Sequence, residues 1–448
     1  MHFNIHHKAI CNGRSSLLIS NILASFLIKG WSAVVVLLMV PLTLSCLGKY
    51  SNGVWLTISS MLVWIDQMDI GLGNGLRNKL ASHIAHEEYD EARSIVSSTF
   101  AMLFAITIPV ILVLSALVWF TDIYTFLNVD PQVIPQMRVS ILAAVVIVCM
   151  TFVFKFIGNV YMGMQMPAVS NFIMVIGQTM ALAATWILYV TGNADFLNIV
   201  LVNTGAPLVT YMLAYPYTFK VRYRFLCPTL KSVNMRSALE LCNMGLKFFW
   251  LQIAGVIQFM TANILISKFF TPAMVTPYQI TYRYMSLVMV AFSVICMPFW
   301  NATTDAYERG DMDWIRKANS KMNLMMAIIT AGMALMVIVS PWLYDVWVGD
   351  KCDVPFSMTV MMAIYIWLMV LSMRYSYFLN GVGALRLQMW MTVMTVFFIP
   401  LAWWVSKETH DIVCFMVVMC GCIAPSILVN MVQFSKILKG KAQGIWRI

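Results

Sequence analysis

Apolar runs of about 20 residues or more recur from one end of this chain to the other, a length that spans the ~30 Å hydrocarbon core of a bilayer as a helix. Hydrocarbon offers no partner to a backbone N–H or C=O, so a chain made of such runs can fold only as helices or as a closed barrel. The runs lack the period-2 alternation of barrel strands, which leaves helices. Composition agrees: 61% of the 448 residues are hydrophobic and 11% charged, where a soluble domain carries about a quarter charged residues. The fold class is all-α integral membrane.

About twelve transmembrane helices can be placed, at 16–44, 52–82, 95–120, 138–163, 167–191, 196–219, 243–269, 274–304, 320–347, 356–383, 387–406 and 411–435. Basic residues divide their connections into two sets. One holds Lys8, Arg14, Arg77, Lys79, Arg93, Lys220, Arg222, Arg224, Lys231, Arg236, Arg309, Arg316, Lys317, Lys321, Arg386, Lys436, Lys439, Lys441 and Arg447. The other holds Lys49, Arg138, Lys268, Lys351 and Lys407. Basic loops stay in the cytoplasm, so both termini are expected there. An impermeant thiol reagent is expected to reach Cys352 from outside and not Cys227. The net charge of +10 is thus a topological signal, and no nucleic-acid partner is expected. Most cysteines lie in apolar runs without disulfide or metal-ligand spacing. The polar N-terminus has no small-residue cleavage site after a short apolar core, so no removable signal peptide is expected.

Sliding the chain by 223 residues brings Asp90 onto Asp313, Arg93 onto Arg316, Trp119 onto Trp342, Asp122 onto Asp345, Asp130 onto Asp353 and Gly158 onto Gly381. The matches preserve helix order and direction, which predicts a parallel internal repeat of two six-helix lobes. The expected division is an N-terminal lobe at 1–220, a cytoplasmic linker at 221–242, and a C-terminal lobe with a basic tail at 243–448.

The stretch Trp64–Arg93 carries the densest polar signal. At 3.6 residues per turn Asp66, Asp69, Gly73 and Arg77 share one stripe, while Gly71 and Gly75 lie on another where a helix could approach. Acids at membrane depth usually face a cavity or an ion path, so Asp66, Asp69 and Arg77 are candidates for ion coupling or gating. Four cations also lie inside expected spans: Lys29, Lys155, Arg283 and Arg374. Arg283 and Arg374 fall nearest mid-span, with Tyr278, Gln279, Tyr282 and Ser286 around the first and Tyr377 and Asn380 around the second. Asn171 and Gln178 share a face of the fifth span. The set predicts a cationic aqueous cavity between the halves. Its guanidinium forks suit phosphate oxygens and its aromatic rings suit sugar faces, which makes Arg283, Arg374, Lys29, Lys155, Tyr282 and Tyr377 the candidate substrate-binding residues.

Other motifs carry less. Gly71, Gly73 and Gly75 follow no strand and lack phosphate-loop spacing. His83, His86 and Glu87 read as a solvated helix end with no further metal ligand nearby. No nucleophile–base pair, metal set or cofactor fingerprint stands out, and no outer loop is large enough to hold a soluble active site. An enzyme is not expected, and neither is a cofactor.

The segments PLTLSCLGKYSN (Pro41–Asn52), GVWLTI (Gly53–Ile58) and DIGLGNGLRNKL (Asp69–Leu80) resemble the polysaccharide-exporter branch of the multidrug/oligosaccharidyl-lipid/polysaccharide (MOP) transporter superfamily, which includes O-antigen flippases. The likeness extends more loosely to Asn380-Gly-Val-Gly383, Arg386 and Gln388. The resemblance implies a V-shaped pair of six-helix lobes around a central cavity, in the bacterial cytoplasmic (inner) membrane. It further implies a flippase that moves an undecaprenyl-diphosphate-linked oligosaccharide from the inner to the outer leaflet during O-antigen, lipopolysaccharide-type polysaccharide biosynthesis. Partners would be that lipid-linked oligosaccharide, membrane lipids, and H+ or Na+ as the coupling ion. A multidrug extruder of the same superfamily is the alternative, though four cations suit a cationic drug poorly. An O-antigen polymerase or ligase would need a large outer loop. A major-facilitator carrier would show a basic, glycine-rich loop where this chain has HEEYDEAR.

Overall fold

The computed structural model describes residues 3–67, 72–234, 261–384 and 386–446, with side chains from residue 27 onward except at 64, 66, 67, 74, 78, 294, 297, 298, 301 and 392–395. No strand occurs among the described residues. Eight helical stretches within them are long and apolar enough to cross a membrane, and the all-helical layout agrees with the twelve-helix, two-lobe reading. The chain divides into two compact units. One comprises Met1–Gly48 and Met61–Trp250, the other Lys49–Ser60 and Leu251–Ile448.

The first unit holds most of α1 (Phe3–Gln67), then α2 (Leu72–Ala85), α3 (Tyr89–Phe120), α4 (Ile123–Leu127), α5 (Met137–Phe154), α6 (Phe156–Gly163), α7 (Pro167–Thr191) and α8 (Phe196–Pro216). Local chemistry sets several ends. Asp90 and Glu91 occupy the first turn of α3, where the helix dipole favours acids. Pro167 opens α7 and Gly192, at φ 71°, closes it, as the preset φ of proline and the left-handed freedom of glycine allow. Leu72, Leu76 and Leu80 recur every four residues along α2 and are buried with Val96, Phe156 and Val160. Lipid tails are as apolar as leucine, so helices in a bilayer associate through close packing. A Cβ on Gly163 would lie 2.9 Å from the Leu80 side chain and 3.2 Å from the Arg77 carbonyl, and one on Gly177 would lie 3.1 Å from Pro207 Cα.

α8 continues as a π-helix over Tyr217–Arg222, and residues 223–234 then run as short turns pinned to α3. Arg93 Nε donates to the Phe225 carbonyl at 2.7 Å. The Ser97 and Ser98 hydroxyls accept from the Thr229 and Asn234 amides at 3.1 and 2.8 Å.

The second unit contains the stretch Lys49–Ser60 of α1, a helical segment at residues 261–269, α9 (Pro272–Glu308), α10 (Met312–Trp347), α11 (Phe356–Gly381), α12 (Arg386–Met394), α13 (Phe398–Thr409) and α14 (Ile412–Leu438). Gly48, at φ 70°, breaks α1 where the change of unit occurs. Beyond it, Thr276 donates to the Lys49 carbonyl at 2.8 Å and accepts from Asn52 Nδ2 at 3.3 Å. A Cβ on Gly53 would sit 1.8 Å from the Pro272 carbonyl oxygen, so only glycine fits. Asn263 Nδ2 donates to the Leu56 carbonyl at 3.4 Å, and its Oδ1 accepts from Gln279 Nε2 at 2.8 Å. Part of the Pro41–Ile58 motif therefore serves to dock this segment on α9.

The two units repeat a helix contact, in a register that corrects the gapless alignment. In the first, Gly163 of α6 meets Arg77 O and Leu80 of α2; in the second, Gly381 of α11 meets Trp300 O and Thr303 of α9. Trp300 and Thr303 are the residues 223 positions beyond Arg77 and Leu80, and α3 and α10 likewise begin 223 apart, at Tyr89 and Met312. The glycines are 218 apart, so Gly163 rather than Gly158 is the structural counterpart of Gly381. The connection at 121–136 is longer than its counterpart at 348–355, which shifts the register after α3.

Cys352 also departs from expectation. It is 4% exposed, and burial pushes its thiol up to about 11, so it reports poorly on sidedness. Cys414, half-buried at the start of α14 on the same expected side, replaces it. An impermeant maleimide applied to whole cells should label Cys414 and leave Cys227, also half-buried, unlabelled; the reverse pattern would invert the expected orientation. Gly53→Ala should destabilise the purified protein by about 3 kcal/mol, the upper end of ordinary overpacking costs. Gly205→Ala, where a Cβ meets nothing within 4 Å, should leave the melting temperature unchanged.

Candidate functional site

Of the expected cations, Arg374 projects from α11. It lies seven residues before the end of α11, about 10 Å along the axis at 1.5 Å per residue, and so nearer a helix end than the sequence places it. The residue is 9% exposed. Nη2 donates to Asn319 Oδ1 at 2.8 Å and to Asn323 Oδ1, and the guanidinium lies 5.0 Å from the centroid of the Tyr375 ring. Asn319 and Asn323 sit four apart on α10, one above the other on a single face. Both contacts use one nitrogen of the fork, and both acceptors are neutral. Among the described residues no carboxylate pairs with Arg374, whereas nearby Arg309 and Arg316 pair with Asp305 and Asp313 at 2.8 and 3.0 Å. The arrangement fixes the orientation of a guanidinium without cancelling its charge. Such a group can receive two oxygens of a phosphate side by side.

The first unit shows what the fold needs at this place. Asn323 lies 223 residues beyond Phe100, and Arg374 lies 218 beyond Phe156, the same two offsets that relate Leu80 to Thr303 and Gly163 to Gly381. In the first unit these positions hold a stacked aromatic pair, Phe100 on Phe156 with centroids 4.6 Å apart, extended by Tyr215 and Phe154. One helix crossing is thus closed by dry aromatic packing in the first unit and by an amide–guanidinium contact in the second. Packing alone does not require the charge.

Tyr377, one turn along α11 from Arg374, packs its ring edge-on to Trp300 at 5.7 Å. Arg283 and Tyr282 are half-buried on α9, and Ser286 Oγ donates to the Arg283 carbonyl at 3.1 Å. Tyr278 and Tyr282 lie beside Tyr365 of α11.

Lys29, Lys155 and Arg77 belong to the first unit. Lys29 is exposed on α1, one turn before Ser32, whose hydroxyl donates to Gln178 Oε1 at 2.6 Å. Lys155 is half-buried at the joint of α5 and α6, and its amide donates to the Thr151 carbonyl at 2.8 Å. Arg77 is exposed on α2, where its carbonyl faces Gly163. Asp69 lies outside the described residues, as does the side chain of Asp66. Asn319 and Asn323 escaped the sequence reading; their signal was two asparagines at i and i+4 near the start of an apolar run.

No protein-family model matches the chain, and no curated protein sequence matches it. Solved structures do. An inward-facing multidrug resistance MATE family transporter of the MOP superfamily matches with a TM-score of 0.78 at 15% identity, over 92% of this chain and 96% of that one. MATE in the bent conformation gives 0.56 at 14% identity, over 94% and 99%. An outward-facing multidrug resistance MATE family transporter gives 0.53 at 13%, over 93% and 97%. At these identities the likeness is one of fold: the chain has the helical fold of MATE-type transporters. The inward- and outward-facing neighbours are described as MATE members of the MOP superfamily, the superfamily whose polysaccharide-exporter branch the Pro41–Leu80 motifs resemble.

Hydrogen bonds to charged groups are worth about 1.5–3 kcal/mol each, so replacing both Asn319 and Asn323 by Leu should cost about 3–6 kcal/mol and lower the melting temperature clearly. Arg374→Phe combined with Asn323→Phe, which rebuilds the first unit's pair, should stay within a few degrees of wild type in the same assay, because apolar replacements of buried polar contacts are often neutral.

Proposed function

We propose that this protein is a membrane transporter that moves a polyprenyl-diphosphate-linked oligosaccharide from the inner to the outer leaflet. The observation that carries the reading is the un-neutralised guanidinium of Arg374, oriented by Asn319 and Asn323 where the first unit uses Phe100 and Phe156. A buried cation without an acid is costly, and an anionic substrate offsets that cost when it binds. Arg374 takes phosphate oxygens, Tyr377 offers a ring face for a sugar, and Arg283 with Tyr282 makes a further contact. Lys29 and Lys155 are assigned further contacts with the anionic head. Asp66, Asp69 and Arg77 are assigned to ion coupling with H+ or Na+. The termini lie in the cytoplasm of a bacterial cell in this reading, and the linker at 221–242 joins lobes 1–220 and 243–448. No enzymatic step is assigned.

A second reading draws on the solved neighbours, which are multidrug resistance transporters, and makes this chain a drug extruder. The two part on charge. In cells that depend on this protein for surface polysaccharide, Arg374→Lys should reduce export partially, because an ammonium gives a point charge in place of a planar fork. Arg374→Gln and the folded Arg374→Phe/Asn323→Phe variant should reduce it about tenfold or more, with lipid-linked oligosaccharide accumulating; that factor corresponds to one lost charge-assisted contact. If the oligosaccharide stays at its normal level while resistance to a cationic drug rises, the extruder reading stands and this one fails.

A further inference from the structure

The lysine-bearing end of α14 forms a cleft that transport does not account for. The helix ends at Leu438, and Gly440 turns the chain at φ 65°. The Lys441 amide then donates to the Lys436 carbonyl at 2.8 Å and the Gly440 amide to the Ile437 carbonyl at 3.0 Å. This paired 6→1 and 5→2 closure needs a left-handed residue at its corner, and it folds Lys441 back beside Lys436 and Lys439. A short turn at Gly444–Trp446 follows. It sets the Trp446 ring 3.8 Å from Lys436 Nζ, and the Trp446 carbonyl accepts from the buried Gln433 at 3.4 Å. Beside this helix end lies an open cleft with a volume of about 300 Å³, lined by Met431, Val432, Ser435, Lys436, Lys439 and Lys441.

A plain alternative is that these lysines complement the helix dipole and mark the basic flank of a span. Those roles need charge near the helix end but no shared space. Here the glycine turn brings three lysines to the lining of one open cleft, with no acid in that lining, and Trp446 holds one of them, Lys436, from the side. Ser435 bonds back to the Met431 carbonyl at 2.9 Å and so leaves the lysines as the donors. The wall toward the span is apolar and open, Met431 and Val432 being 44% and 42% exposed. Cationic at one end and apolar along the helix, the cleft has the two-part chemistry of a phospholipid, and basic pockets at helix ends are a recurrent form of headgroup recognition.

We propose that this cleft binds one anionic phospholipid. Its phosphate is held by Lys436, Lys439 and Lys441, and its acyl chains lie along Met431 and Val432. The site is independent of the substrate reading above.

The test is native mass spectrometry of the purified full-length protein in detergent, titrated with phosphatidylglycerol or phosphatidylcholine. Wild type should retain one phosphatidylglycerol under collisional activation that strips phosphatidylcholine. Each lysine near an anionic headgroup is worth about fivefold, so Lys441→Gln, which alters only the turn, should weaken binding about fivefold. The Lys436→Gln/Lys439→Gln/Lys441→Gln variant should weaken it about 100-fold, and the matching triple Arg variant should restore it. Lys220→Gln/Arg224→Gln/Lys231→Gln, which removes the same charge from exposed positions of the first unit, should bind as wild type does. Equal loss in that control, or no loss in Lys441→Gln and the triple Gln variant, overturns the proposal. So does displacement of the lipid by millimolar inorganic phosphate, which would make the cleft a site for a soluble anion.

Discussion

Inside hydrocarbon every backbone amide must find its partner within the chain, and that requirement makes each span a helix before any tertiary contact forms. It leaves open how the helices hold together, since leucine against leucine gains little over leucine against lipid. The structure meets this with close approaches. Gly163 lies on α2, Gly381 on α9 and Gly177 on Pro207, each so near that an added Cβ would crowd its neighbour. Gly53 is the extreme case, with the Pro272 carbonyl where its Cβ would be. These contacts fix the level at which side chains of paired helices face one another, and the chemistry of the second unit depends on that.

Repetition makes the chemistry legible. Two units with the same helix contact should carry the same pair beside it if packing were the sole demand. The first has Phe100 on Phe156, and the second has Asn323 beneath Arg374. The aromatic pair shows that the crossing closes without charge, so the guanidinium is a local departure from what the fold needs. Neutral amides orient it, and Tyr375 shields one face. A carboxylate would cancel the charge of the guanidinium; the amide oxygens of Asn319 and Asn323 orient it and leave that charge in place.

Much of the fold could be read from the sequence because the governing signals are local. Span length, proline at the start of α7, glycine at its end and acids at the start of α3 each act within a turn or two. The register of 223 residues was readable through α2 and α3 for the same reason. It failed at Gly158 because the connection after α3 differs in length from its counterpart, which a gapless comparison does not register. The placement of Lys49–Ser60 in the second unit was not readable, since it rests on Thr276, Asn263 and Pro272, more than 200 residues away. Nor were the partners of Arg374: an asparagine in an apolar run carries no charge to mark it, and only the pairing of α10 with α11 gives Asn319 and Asn323 a role. Cys352 sat in a short polar connection and read as accessible, yet packing buries it.

The central claim is that an un-neutralised guanidinium in a MATE-type fold serves an anionic, lipid-linked head group. Reconstitution of the purified wild-type protein into liposomes tests it most directly. A polyprenyl diphosphate carrying a labelled sugar would be placed in one leaflet, and its arrival in the other followed with a membrane-impermeant sugar-modifying reagent. The account predicts exchange well above that of protein-free liposomes, slowed by excess unlabelled diphosphate-linked lipid and unaffected by a lipophilic cation. Exchange no faster than in protein-free liposomes, together with uptake of the cation by the same vesicles, would contradict it.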